Sequence, residues 1–140
     1  MQVYMDRRPH ILLAEDELYV RLTVSFALEE AGMEVTAVDN GARALEHLVG
    51  SASGHRPIDL LVTDLQMPCM TGMELIRNLR DQGLKVPILV LSAWATREML
   101  ARIRELWQVD FLEKPFEARD LLIHVNQLLS VSCGDPQNKT

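Results

Sequence analysis

The stretch Leu60-Leu61-Val62-Thr63-Asp64-Leu65-Gln66-Met67-Pro68 constrains this chain more than any other. Its aliphatic run is too short for a helix, ends in a carboxylate and breaks at a proline. Such a run suits a strand buried on both faces of a parallel sheet. In open parallel sheets, reactive groups gather just beyond the carboxyl ends of the strands. Asp64 falls at that place, so the chain reads as a scaffold for chemistry at Asp64.

The rest of the sequence alternates between two periods. His10 to Ala14 is a short apolar run ending in Glu15-Asp16, and from Leu18 apolar residues recur at helical spacing until Gly32. Met33 to Val38 reads as a strand, and Asp39-Asn40-Gly41 as a turn that can cap the next helix. That helix ends near Gly50, before a polar loop from Ser51 to Pro57. The central strand spans residues 58–63, and the helix after Gly72 closes near Gly83. Val86 to Leu91 forms a further strand, a helix spans about 96–107, Val109 to Leu112 is the last strand, and a helix runs over about 117–130. Five strand-helix units in strict alternation predict an α/β fold: a three-layer, doubly wound (βα)5 parallel sheet with right-handed crossovers. Residues 1–9 read as a lead-in, 10–131 as the domain and 132–140 as a flexible tail.

Charge and composition narrow the function classes. The net charge of −6, without a dense basic block, argues against direct nucleic-acid binding. No apolar run reaches the ~18 residues of a membrane span, and no secretion signal is evident. Cys69 and Cys133 fit no disulfide framework, so a cytoplasmic setting is expected. His10, His47, His55 and His124 lack ligand spacing and read as structural or surface residues.

The strong polar features all fall at strand ends: Glu15-Asp16, Asp64, Ser92 and Lys114. Singly, each has an ordinary reading as a cap, a loop serine or a solvated lysine. Together, three carboxylates and one ammonium leave two negative charges in excess. Each carboxylate pair at about 4 Å costs on the order of 4 kcal/mol at an effective dielectric near 20. A divalent cation relieves that repulsion, and an all-oxygen site suits Mg²⁺, or Mn²⁺ in its place. Asp64 can then attack phosphorus, with Ser92 and Lys114 donating to phosphoryl oxygens.

These residues resemble the receiver domain of two-component response regulators. The similarity rests on Glu15-Asp16, on Asp64-Leu65-Gln66-Met67-Pro68-Cys69-Met70-Thr71-Gly72, on Ser92-Ala93, and on Phe111-Leu112-Glu113-Lys114-Pro115-Phe116. It covers about residues 9–131. It implies a flavodoxin-like sheet ordered 2-1-3-4-5 and a phosphoryl group accepted on Asp64 from a histidine kinase or phosphotransfer protein. It further implies Mg²⁺ held by Asp16, Asp64 and the Gln66 backbone carbonyl, with Glu15 assisting through water. Ser92 and Phe111 would form a switch pair, the Lys114-Pro115 bond would be cis, and the helix-strand-helix face from Thr96 to Ser130 would signal to a downstream effector or an output domain. A homodimer remains open.

The sequence departs from the family's pattern in several places. Glu15 replaces the commoner aspartate, and Trp107-Gln108 stands where Gly-Ala is usual. Trp94 is bulky for its position, and its indole is expected to shield the acyl phosphate and slow hydrolysis. Gln66 occupies a site-modulating position. His124 replaces the arginine usual in the large DNA-binding subclass. Two other classes compete: a phosphorylation-independent interaction module, and a small-molecule phosphatase, which needs a general acid where Gln66 stands. An enzyme with a separate substrate is therefore not expected.

Overall fold

The computed structural model describes residues 8–52 and 56–134. Ten elements alternate without exception: β1 (His10–Ala14), α1 (Leu18–Glu30), β2 (Glu34–Val38), α2 (Gly41–Ala52), β3 (Leu60–Asp64), α3 (Gly72–Asp81), β4 (Ile88–Ser92), α4 (Arg97–Arg104), β5 (Val109–Glu113) and α5 (Ala118–Gly134). The sheet is wholly parallel in the order β2-β1-β3-β4-β5, the flavodoxin-like (βα)5 architecture. Successive residues of each strand point to opposite faces, so the aliphatic runs divide between two cores. Leu12, Leu61, Ile88 and Val90 pack with α2, α3 and α4. Ile11, Leu13, Leu60, Val62, Leu89 and Leu91 pack with α1 and α5. Burial on both sides explains why β1, β3 and β4 are apolar without alternation.

Several boundaries differ from the sequence reading. β4 begins at Ile88 and not Val86, because Pro87 has no N–H for the ladder and the Val86 carbonyl is taken by Arg80. β3 runs from Leu60 through Asp64, one residue beyond its expected end. α4 spans only Arg97–Arg104: Thr96 caps it, accepting from the Met99 N–H at 3.1 Å, and Gln108 adopts φ +49° beyond it. α2 continues past Gly50 to Ala52, and α5 runs to Gly134, so Ser132 to Gly134 are helical where a tail was expected. The rest of that tail, residues 1–7 of the lead-in, and residues 53–55 of the loop lie outside the described residues.

One close approach fixes where α3 begins. A Cβ on Gly72 would lie 2.3 Å from the Asp64 carbonyl oxygen and 2.9 Å from the Leu65 Cα. The Gly72 N–H donates to the Leu65 carbonyl at 2.9 Å, and Thr71 and Glu74 form a reciprocal capping box above it. The first turn of α3 thus rests directly on the end of β3. Gly72→Ala is expected to destabilise the fold by about 1–3 kcal/mol through overpacking against backbone, read as a lowered urea midpoint at unchanged m-value.

Candidate functional site

Parallel strands bring their carboxyl ends to one edge, and four of the five deliver polar groups there. Glu15 follows β1, Asp64 closes β3, Ser92 closes β4 and Lys114 follows β5. The Lys114 ammonium donates to Asp64 Oδ2 at 2.8 Å and to Glu15 Oε1 at 3.1 Å. The Lys114–Pro115 peptide bond is cis. Behind the cluster, the buried Thr63 hydroxyl donates to the Asp64 carbonyl at 3.0 Å, and the Gln66 N–H donates to Asp64 Oδ1 at 3.2 Å.

Burial sets the electrostatics. Glu15 is fully buried. Loss of hydration raises its pKa first and the nearby Asp64 charge adds to this. Hydrogen bonds from the Glu17 N–H and Lys114 offset part of the rise, leaving it at about 7. For Lys114, burial lowers the pKa, but its bonds to Asp64 and the Asp64 and Glu15 charges outweigh that and hold it above the ordinary lysine value.

Asp16 is exposed at the rim. One oxygen each from Glu15, Asp16 and Asp64 lies within 4.8 Å of the others. Three convergent carboxylates with a single cation among them are the donor set of a hard divalent ion that retains part of its water shell, so the residues fit Mg²⁺.

Ser92 and Phe111 do not join this cluster. The Ser92 hydroxyl donates to the Trp94 carbonyl at 2.6 Å and accepts from the Trp94 N–H at 3.0 Å, so it is committed to its own loop. Phe111 is half-buried against the core beneath α2, α3 and α4. The Trp94 side chain is 76 % exposed, and Gln66 is also exposed.

Some structural contributors carried no sequence signal. Arg21 of α1 reaches back to donate to the Glu15 carbonyl at 2.8 Å and the Asp16 carbonyl at 3.4 Å, anchoring the acidic pair. His10 ties the opposite end of the sheet: its Nδ1–H donates to the Pro57 carbonyl at 2.9 Å and its Nε2 meets the Thr36 hydroxyl at 2.7 Å. Burial lowers its pKa and favours the neutral ring. His124 pairs with Asp110 at 2.6 Å, joining α5 to β5. No helix of the described residues is long and apolar enough to cross a membrane.

A family model for the response regulator receiver domain matches residues 11–126. The chain belongs to this family. It is 36 % identical over 132 residues to the alkaline phosphatase synthesis transcriptional regulatory protein SphR of Synechococcus elongatus, covering 90 % of this chain and 51 % of that protein. It is 33 % identical over 113 residues to the transcriptional regulatory protein FixJ of Bradyrhizobium diazoefficiens, covering 81 % and 53 %. The receiver thus spans about half the length of these curated relatives. A solved response regulator receiver protein from Sinorhizobium medicae superposes with a TM-score of 0.76 at 35 % identity, over 90 % of this chain and 98 % of that one.

The raised Glu15 pKa has a definite sign. In the unfolded chain this carboxyl titrates near 4.5 and in the folded receiver near 7, so the folded state binds the extra proton between those values. Its contribution to stability without metal is complete below about pH 4.5 and is lost as pH rises through 7. Glu15→Gln is expected to flatten this part of the pH–stability profile, measured by urea unfolding in the presence of a chelator.

Proposed function

We propose that this receiver is a phosphorylatable switch in a two-component phosphorelay, with Asp64 as the acceptor of a phosphoryl group from a histidine kinase or phosphotransfer protein. The observation that carries the reading is the Lys114 bridge to Asp64 and Glu15 at the common edge of three strands. Asp64 offers an oxygen to phosphorus as the phosphorus–nitrogen bond of the donor breaks, and the departing imidazole takes a proton. Lys114 exchanges its hydrogen bond with Asp64 Oδ2 for one to a phosphoryl oxygen. Ser92 leaves the Trp94 backbone to donate to another, and Phe111 turns into the space behind it. Asp16, Asp64 and the Gln66 carbonyl would hold Mg²⁺ or Mn²⁺, with Glu15 assisting through water, and the ion when bound would supply positive charge to the transferred group. The receiver is in this reading a cytoplasmic protein that assists its own modification and has no separate substrate. The surface formed by α4, β5 and α5 carries the change to an effector or output domain.

The test is intact-mass spectrometry after incubation with Mg²⁺ and a small phosphodonor. One phosphoryl gain is expected, absent in Asp64→Asn and abolished by chelator. No gain in the native chain assigns it to the phosphorylation-independent interaction modules. On the phosphorylated form, Trp94→Ala is expected to speed dephosphorylation by exposing the acyl phosphate to water; an unchanged rate removes the shielding role.

The donor has a ready docking surface. Leu18, Tyr19, Leu22 and Phe26 stand exposed along one stripe of α1. Such a contiguous apolar patch marks a surface covered by a partner. The stripe starts two residues from Asp16, so a protein reaching Asp64 from the rim lies over it. The pair Leu22→Glu and Phe26→Glu is expected to slow transfer from a protein donor at least about tenfold, while phosphorylation by a small phosphodonor stays at the native rate.

A further inference from the structure

The Trp107-Gln108 pair, set apart in the sequence, meets an unusual arginine at the end of the sheet opposite Asp64. Arg80, in the last turn of α3, has no carboxylate partner among the described residues and spends its guanidinium on backbone. Nη1 donates to the Leu84 carbonyl at 2.8 Å, and Nη2 donates to the carbonyls of Val86 at 3.0 Å and Trp107 at 2.8 Å. Its guanidinium carbon lies 5.5 Å from the centroid of the Trp107 ring. One side chain therefore clasps the α3–β4 loop to the turn between α4 and β5.

Around that clasp, two buried polar atoms have no partner among the described residues: the Arg80 Nε–H and Gln108 Oε1. One is a donor and the other an acceptor. They belong to the side chains on either side of the Trp107 carbonyl, one bonded to it through Nη2 and the other on the next residue. Buried groups that lose hydration without gaining a bond are rare in native interiors. The same turn holds Gln108 at φ +49°, a left-handed backbone that side-chain-bearing residues seldom adopt.

We propose that Arg80 is a positioning residue for α4, and that the α4–β5 turn has a second setting in which the Arg80 Nε–H donates to Gln108 Oε1. Relaxation of the Gln108 backbone is the movement that brings them together. α4 is suited to transmit such a change because it buries one side chain, Ile103, and both of its ends meet the groups concerned. One end is the Thr96 cap, four residues past Ser92; the other is the turn that Arg80 clasps. Resting on the phosphorylatable-switch reading, modification of Asp64 draws the Ser92 loop inward and selects the second setting through α4.

The experiment is ¹⁵N relaxation dispersion on the Arg80 Nε–H and the amides of residues 105–109, which detects exchange on the microsecond-to-millisecond scale. Exchange is expected in the native chain. Gln108→Met, close in size but without an acceptor, is expected to reduce it at least about fivefold, and Arg80→Lys, which keeps the charge but lacks Nε–H, likewise. Flat profiles in the native chain, as water-satisfied atoms in one setting would give, overturn the proposal. So does exchange that survives unchanged in a folded Gln108→Met. Adding Mg²⁺ and a small phosphodonor is expected to shift the populations in the native chain and not in Asp64→Asn. A phosphoryl gain by mass without that shift overturns the coupling. No phosphoryl gain indicts the switch reading alone, and the dispersion result then decides the two settings by itself.

Discussion

The arrangement of the site depends on one ammonium group held between two carboxylates. Lys114 is delivered by β5, Glu15 by β1 and Asp64 by β3, so the contact closes only when three non-consecutive segments are in register. Parallel pairing makes that possible, because every crossover returns the chain to the same edge. The cost of the contact is borne by Glu15, which is fully buried and whose charged form is disfavoured there. Without Lys114, two acids would face each other at the edge of a dry core. With it, one positive charge stands among three carboxylates, and the remaining negative charge leaves a place for a second cation.

The fold was legible because its determinants are local. Apolar runs of strand length, helical periodicity between them and glycine or Asx turns at the joints define five units, and a parallel sheet follows. The convergence of Glu15, Asp64 and Lys114 was legible for the same reason: they sit at strand ends, and in this topology strand ends converge. What was not legible depends on reach. Arg21 and Arg80 act on backbone carbonyls, which any residue supplies, so no pattern of side chains announces them. The early end of α4 is likewise a tertiary outcome, since the Trp107 carbonyl is claimed from α3 and the turn takes a left-handed residue. The orientation of the Ser92 hydroxyl is set by a loop whose path the residue types do not specify.

The two ends of the sheet have different characters. At the carboxyl edge, charge is concentrated and groups are shared, so small displacements alter the electrostatic balance. At the amino edge, side chains are spent on tying segments together: His10 ties β1 to β2 and to the segment before β3, and the Arg80 guanidinium ties the α3–β4 loop to the α4–β5 turn. The helices span the distance between them. Of these, α1 presents its outer face as an apolar stripe, and α4 is the most lightly buried. A partner arriving at α1 and a change leaving through α4 would use opposite layers of the molecule, separated by the sheet.

The bonds between Ser92 and Trp94 bear on how the β4–α4 loop can move. A hydroxyl that both gives and receives a hydrogen bond with the same residue is saturated locally. It cannot rotate away by a change of side-chain torsion alone without stranding the Trp94 N–H and carbonyl. Withdrawal of Ser92 Oγ therefore frees the peptide units around residue 94 as one piece of loop. The indole, standing in solvent, is the lever arm of that piece and sweeps a wider arc than the hydroxyl. An optical signal from Trp94 would register the position of an oxygen atom that its ring never touches.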